Sequence, residues 1–174
     1  MSMVIISTPR LLLRGALPED FDVLFATVFS DARVAEHLSG AAMSRDQARQ
    51  FFDQEFDHLG TGRKIGVLVE KGSSALVGYA GLKPFKALGR EDYEVGFVLN
   101  ARSWGRGYAT EIGRAQLEYG FATTELPRLV AQVRPENLGS AKALAKIGMN
   151  YLQTYDRPNL GIWDIYVCPR PVSS

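Results

Sequence analysis

Apolar positions along the chain follow two rhythms, and the switches between them mark out the elements. Residues 5–14 are rich in Ile and Leu with little alternation, the pattern of a buried first strand. Pro18-Glu19-Asp20 then opens a helix carrying Phe21, Leu24, Phe25 and Val28 at helical spacing. Asp31 stands where it would cap a second short helix reaching His37. Ser44 and Gln47 form a capping box ahead of Ala48, Phe51, Phe52 and Phe56, which predicts a helix to about residue 59. Strands are predicted over 65–70 and 76–82, joined by the turn Gly72-Ser73-Ser74, and over 93–99 after the polar run Gly89-Arg90-Glu91-Asp92. A helix over 109–121, a strand over 128–133, a helix over 137–147 and strands over 151–155 and 162–167 complete the pattern.

Hairpins mixed with helices predict an α+β fold with a mixed, mainly antiparallel central sheet flanked by helices. The strands over 93–99 and 128–133, joined by a helix, are the expected parallel pair. With 174 residues and no repeat or linker, one domain spanning 1–174 is expected. A net charge of +1 gives no reason to expect a nucleic-acid partner or an anionic membrane. No apolar run approaches the roughly 18 residues of a spanning helix, and the first residues lack the basic n-region of a secretory leader. A cytoplasmic location is therefore expected. Cys168 is the single cysteine, which excludes an intrachain disulfide and a Cys-based metal site, and His37 and His58 share no ligand spacing. No metal is expected. The exposed edge of a sheet leaves room for a homodimer without demanding one.

The chemistry concentrates in Trp104-Gly105-Arg106-Gly107-Tyr108-Ala109-Thr110-Glu111, between a predicted strand and a predicted helix. The first N–H groups of a helix lack intrahelical partners, and the helix dipole adds positive potential there, so main chain alone can hold a diphosphate. Gly105 and Gly107 permit close approach, and Arg102 and Arg106 add guanidinium charge. A nucleoside-triphosphate loop would need a closing Lys-Ser/Thr pair, and a dinucleotide fingerprint a third glycine where Thr110 stands. Neither fits. Two glycines could also serve turn geometry alone.

The spacing Arg102-x-x-Gly105-x-Gly107 resembles the acetyl-CoA signature of the GNAT N-acetyltransferases. Thr8-Pro9-Arg10-Leu11-Leu12-Leu13-Arg14, Val77-Gly78-Tyr79-Ala80-Gly81-Leu82 and Glu94-Val95-Gly96-Phe97 look like the first, third and fourth strands of the RimJ/RimL branch. Asn137-Leu138-Gly139-Ser140 through Lys146-Ile147-Gly148-Met149 is similar to its Asn-x-x-Ser helix. These matches are collinear from about Thr8 to Cys168. The resemblance implies acetyl-CoA as co-substrate, a splayed parallel strand pair, and a pantetheine arm in the gap beside Phe97, Val98 and Leu99. It implies phosphates at Arg102, Gly105, Arg106, Gly107, Tyr108, Ala109 and Thr110, and Asn137 on the pantetheine arm. Ser140 would donate to the leaving thiolate, because Leu144 stands where many of these enzymes carry a tyrosine acid.

Glu94, mid-strand between apolar neighbours, is either the general base or a structural carboxylate. Asn137 is equally a plain helix cap, and Lys142 and Lys146, four apart on one helix face, could approach the CoA phosphates but more often form a solvated face. Tyr79, Lys83, Tyr155, Arg157 and Trp163 could line the acceptor pocket or equally be ordinary strand packing, and none is assigned a role. An α-amine near pKa 7.8 costs roughly 1.2 kcal/mol to neutralise at pH 7, a lysine side chain roughly 4.6 kcal/mol. Together with the resemblance, this makes a protein or peptide N-terminal α-amine the expected acceptor. The alternatives are a small-molecule amine (amino acid, polyamine or aminoglycoside) and a non-catalytic acyl-CoA-binding module. Glu36 and Asp46 against Arg45 and Arg49 give the segment 34–49 no acidic bias toward polyamines.

Overall fold

The computed structural model describes residues 2–173. Its strands are β1 (Val4–Ser7), β2 (Leu11–Arg14), β3 (Ile65–Glu70), β4 (Leu76–Phe85), β5 (Asp92–Leu99), β6 (Arg128–Val133), β7 (Asn150–Arg157) and β8 (Gly161–Pro169). Its helices are α1 (Asp20–Leu24), α2 (Ala32–Ala35), α3 (Arg45–Glu55), α4 (Tyr108–Thr123) and α5 (Leu138–Lys146). The strands join in one sheet, ordered β1-β2-β3-β4-β5-β6-β8-β7, in which β5 and β6 are the parallel pair and every other neighbour is antiparallel. This is the expected α+β architecture.

The predicted caps are present. Ser44 Oγ accepts from the Gln47 N–H at 3.2 Å while Gln47 Oε1 accepts from the Ser44 N–H at 3.0 Å. Asp31 accepts from the Arg33 N–H at 2.9 Å and caps α2. Between α1 and α2 the chain widens into a π-helical turn, Phe25–Phe29, closed by the Ser30 N–H on the Phe25 carbonyl at 3.0 Å.

Two elements depart from the sequence pattern. Residues 5–14 are two strands rather than one. Thr8 reverses the chain: its N–H donates to the Leu11 carbonyl at 2.9 Å and its Oγ accepts from the Leu11 N–H at 3.0 Å. Helix α3 stops at Glu55, short of residue 59, because Phe56 turns extended to bridge Ile65. The buried Asp57 carboxylate then collects the N–H groups of Thr61 and Gly62 at 2.9 and 2.6 Å. The Leu59 N–H is further off, at 3.3 Å. These contacts hold its pKa below the ordinary carboxylate range, although burial alone would raise it.

Period-two alternation distributes the core to both faces. On β3, Ile65, Val67 and Val69 face a cluster built from α1 to α3, including Phe21, Phe29, Phe52 and Phe56. Leu68 faces the other way, toward Tyr108 and Ile112 of α4. Further along the sheet, Val95, Leu129, Ala131 and Val133 pack with Leu117 of α4 and Leu144 of α5. No helix among the described residues is long and apolar enough to cross a membrane.

The parallel pair is joined only at its base. Glu94 and Val130 are the one pair in register, and the strands diverge beyond them. Below that point the buried Asp92 carboxylate receives Arg128 in a two-pronged contact, Nε and Nη2 at 2.9 and 2.8 Å. Asp92→Asn would leave the guanidinium without its counter-charge, and breaking such a pair costs roughly 3 kcal/mol. A loss of that size in urea unfolding, absent for the exposed neighbour in Glu91→Gln, is the expected result.

Candidate active site

Where β5 and β6 part, β5 keeps its partner on one side only. The Asn100 N–H donates to the Val77 carbonyl of β4 at 2.8 Å. Backbone groups of alternate residues point to opposite edges of a strand. Val98 and Gly96 therefore also turn toward β4, while Phe97 and Leu99 face the gap. The Leu99 carbonyl is taken by the Trp104 indole N–H at 3.0 Å. The Phe97 N–H and C=O remain directed into the opening. From beneath, Gln116 Nε2 of α4 donates to the Gly81 and Gly96 carbonyls at 2.9 and 3.0 Å, fixing this stretch of the sheet.

A cavity of about 610 Å³ occupies the gap. Its wall includes Phe97, Val98 and Leu99 of β5, Gly105, Gly107, Tyr108, Ala109 and Thr110 of the loop and α4, and Asn137 and Ser140 at the start of α5. Ten of the thirteen residues singled out in the sequence thus meet at one opening. Glu94, Arg102 and Arg106 do not line it.

The loop is shaped as an anion cradle. Asn100 Oδ1 accepts from the Ser103 N–H at 3.1 Å and caps a short 3₁₀ turn, Ala101–Ser103. Gly105 and Gly107 follow at φ +72° and +78°, the left-handed region that suits glycine. Helix α4 begins without a side-chain cap, and its first backbone bond runs from the Glu111 N–H to the Gly107 carbonyl at 3.1 Å. The N–H groups of Tyr108, Ala109 and Thr110 therefore have no backbone acceptor among the described residues. Their donors fit the oxygens of a diphosphate.

The two arginines of the motif are placed differently from expectation. Arg102 is exposed and lies outside the cavity wall. Arg106 turns away to Glu70, Nη2 to Oε1 at 2.7 Å, and lies over the Tyr108 ring at 4.7 Å. Glu70 also accepts from the hydroxyls of Ser73 and Tyr108. These hydroxyls, Ser73 first, and the Arg106 charge hold the Glu70 carboxyl down at about 2. The Tyr108 side chain is therefore structural, and only its backbone is offered to a ligand. A second clamp comes from the N-terminal hairpin. Glu111 accepts from Thr8 Oγ at 2.7 Å and from the Arg10 Nε at 2.7 Å, while Arg10 Nη1 donates to the Arg106 carbonyl at 2.8 Å.

At the other wall, the Asn137 side chain caps α5 and holds the Ser140 hydroxyl. A backbone N–H can only donate, so the Asn137 oxygen must face the Ser140 N–H, at 3.1 Å. Its amide nitrogen consequently donates to Ser140 Oγ at 3.0 Å. With that lone pair occupied, the Ser140 hydroxyl retains its own proton to donate. Lys142 and Lys146 of α5 also border the cavity and are exposed to solvent, so bordering the cavity and forming a solvated face are both true of them.

Glu94 is half-buried on the opposite face of β5, with Lys83 as its cross-strand partner on β4. Burial raises its pKa, and the charges of Lys83 and Arg157 and a hydrogen bond from Gln132 partly oppose that rise. The residues left unassigned on this face, Lys83 and Arg157, thus bear directly on it. Sequence reasoning missed the α2 segment, whose Val34, His37 and Leu38 close the cavity roof, with His37 edge-on to Trp104 at 5.6 Å. It also missed Glu70 as the anchor of the loop. The signal for Glu111 was present, in an acid directly after the anion loop.

The acetyltransferase (GNAT) domain family matches residues 10–150, more than half of the chain. The uncharacterized N-acetyltransferase YnaD of Bacillus subtilis (strain 168) is 30% identical over 144 residues, covering 83% of this chain and 81% of its own. Among solved structures, the acetyltransferase (GNAT family) from Bacillus anthracis is 26% identical, with a TM-score of 0.79 over 97% of this chain and 99% of that one. Two more distant structures share the fold. The ribosomal L7/L12 α-N-protein acetyltransferase RimL in complex with coenzyme A is 13% identical at TM-score 0.73, covering 96% and 98% of the two chains. Spermidine N-acetyltransferase from Vibrio cholerae, with CoA and spermine, is 14% identical at 0.71, covering 92% and 95%.

Gly107→Ala tests the loop. A left-handed conformation costs an L-residue roughly 1–2 kcal/mol, and the added Cβ would lie 3.4 Å from Arg10 Nη2. The exposed loop is expected to relax, weakening CoA about tenfold in calorimetric titration; an unchanged Kd would count against these amides as the phosphate site.

Proposed function

The chain belongs to the GNAT acetyltransferase family, and on that premise we propose that it transfers acetyl, as a single domain, from acetyl-CoA directly to a primary amine. The preferred acceptor in this reading is a peptide or protein N-terminal α-amine. The observation that carries it is the cavity between the diverging strands, with uncapped helix amides at its mouth and an unpaired Phe97 backbone in its wall.

The roles follow from the donors present. The N–H groups from Gly105 to Thr110 hold the diphosphate, and Lys142 and Lys146 supply the positive charge that Arg106 has committed to Glu70. The Phe97 N–H and C=O pair with the pantetheine amides as another strand would, and an N–H at this edge of β5 stabilises the developing oxyanion. The amine nitrogen attacks the thioester carbonyl, the C–S bond breaks, and the nitrogen's proton passes to Glu94, directly or through water. Lys83 and Arg157 assist, because nearby positive charge favours the neutral, nucleophilic amine. Ser140 donates its hydroxyl proton in a hydrogen bond to the departing thiolate. With a thiol pKa near 8.5 that group needs little help, so Ser140→Ala should cost far less than loss of the base.

No acyl-enzyme is required. Cys168 lies on β8, opposite Leu129 of β6, and burial pushes its thiol pKa up, away from a reactive thiolate. The α-amine preference rests on the smaller cost of neutralising it, and the RimJ/RimL-like assignment rests on Ser140 and on Leu144 replacing a tyrosine acid.

Glu94→Gln is expected to lower kcat/KM for peptide N-termini by roughly 10²–10⁴ with CoA affinity retained. It should also remove the limb of the pH–rate profile in which activity rises as a carboxyl of raised pKa loses its proton. Stability should move the other way. The folded chain holds the Glu94 proton longer than the unfolded chain does, so wild type loses stability as pH climbs from about 4.3 toward the raised folded pKa. The Gln variant should therefore melt higher than wild type at pH near 7 and alike near 4. Full activity in the variant would return Glu94 to a structural role, and thiol release with blocked N-termini or small amines alone would move the acceptor.

A further inference from the structure

Beyond Glu94, the acceptor face carries an arrangement the transfer chemistry does not use. Trp163 is buried on β8, opposite Tyr155 of β7, and its indole N–H is satisfied by the Leu160 carbonyl at 3.3 Å. Two guanidiniums lie against its ring, Arg134 at 4.9 Å and Arg157 at 5.1 Å from the centroid. Arg134 is anchored through Nε to the Leu38 carbonyl at 2.8 Å, which ties it to the cavity roof. Its Nη atoms, and all the donors of Arg157, have no hydrogen-bond acceptor among the described residues, and neither side chain meets a carboxylate within 4.0 Å. Most other arginines of the chain are paired, as Arg14 is with Asp20 and Arg128 with Asp92.

Two like charges gathered round one aromatic ring repel each other. Cation–π attraction returns only about 0.5–1 kcal/mol apiece at partly exposed sites. An oxyanion between the two forks would remove the repulsion and gain charge-assisted hydrogen bonds. Next to this cluster on β6 stands Gln132, two residues before Arg134 and so about 7 Å along the strand. Its Oε1 is buried with no hydrogen-bond partner among the described residues, and its side chain is among the groups that lower the Glu94 pKa. An unpaired buried acceptor beside the candidate base is suited to an N–H of the incoming amine.

We propose that the acceptor is an amine bearing a carboxylate a few bonds from its nitrogen, bound at two ends. Its amine meets Glu94 and Gln132 Oε1, and its carboxylate enters the Arg134–Trp163–Arg157 cluster. This names the acceptor class for the transfer proposed above and rests on that reading. The carboxylate can come from an acidic residue next to a peptide N-terminus or from a small amino-carboxylate, and the recognition chemistry is the same.

Matched acceptors separate these cases. One pair is an N-terminal Ala-Asp peptide against Ala-Asn, both with amidated C-termini; the other is a dipeptide acid against its amide. Both are compared by thiol release from acetyl-CoA and by calorimetric binding to the CoA-loaded protein. The expected result is at least roughly tenfold higher kcat/KM and tighter binding for the acid member of one pair, which also identifies the source. In Arg157→Gln, and more strongly in Arg157→Glu, the acid-over-amide ratio should fall to near one. Arg157 is half-exposed on a hairpin, so the variants should remain folded, checked by thermal melting. Arg134→Gln gives an independent second reading of the same ratio. Turnover of every acceptor with no acid preference, or a ratio unmoved in the variants, overturns the carboxylate subsite and leaves the transferase standing. Acid-selective binding without turnover upholds the subsite and overturns the transfer.

Discussion

The separation of β5 from β6 beyond Glu94 and Val130 is the constraint on which the rest depends. A strand edge opened inside a protein forfeits backbone hydrogen bonds that would each be costly to leave unmade. Here the loss is contained. The Trp104 indole occupies the Leu99 carbonyl, and Gln116 braces Gly81 and Gly96 from below. The opening is thereby narrowed to Phe97, an edge ready for a ligand to complete in the manner of an added strand. The ion pair of Asp92 with Arg128 keeps the two strand bases together, so the sheet opens as a wedge. Both candidate sites lie along that wedge.

Charge around the anion loop is arranged against first intuition. Two carboxylates, Glu70 and Glu111, stand beside the uncapped N-terminus of α4. Each is neutralised by an arginine that would otherwise be free, Arg106 and Arg10 respectively. What remains for a ligand is the directional field of the helix N–H groups rather than mobile side-chain charge. The carboxylates serve to hold the loop in shape. Selectivity then comes from geometry fixed before binding, with Lys142 and Lys146 as the flexible supplement.

Much of this was legible in the sequence, because local rules govern it. The Ser44–Gln47 box, the Asp31 cap and the strand–loop–helix around Gly105 and Gly107 depend on residues within a turn of each other. The α+β order and the parallel pair followed from element succession. What escaped was long-range. Nothing near Arg106 in sequence says that Glu70 will claim it, and nothing near His37 places it over Trp104. The reversal at Thr8 was hidden because two short strands of Ile and Leu read as one longer strand. Helix α3 ended early because Phe56 bridges Ile65, a contact between segments that composition does not foreshadow. On the acceptor face, Lys83, Arg157 and Trp163 were already candidates for one pocket, but they come from three separate strands, and Arg134, in the loop after β6, joins them only in the folded sheet.

The clamp of the N-terminal hairpin on the anion loop has a kinetic implication. Thr8 and Arg10 grip Glu111 and the Arg106 carbonyl across sequence separations of 103, 101 and 96 residues. Contacts of such span form late, since the chain must first give up the entropy of closing the loop between them. During synthesis the opening strands wait, partnerless on this side, until α4 has emerged. A nascent chain would therefore be blind to the nucleotide until most of its sheet had assembled, and capture of that ligand would act as a latch on the whole chain rather than on one loop.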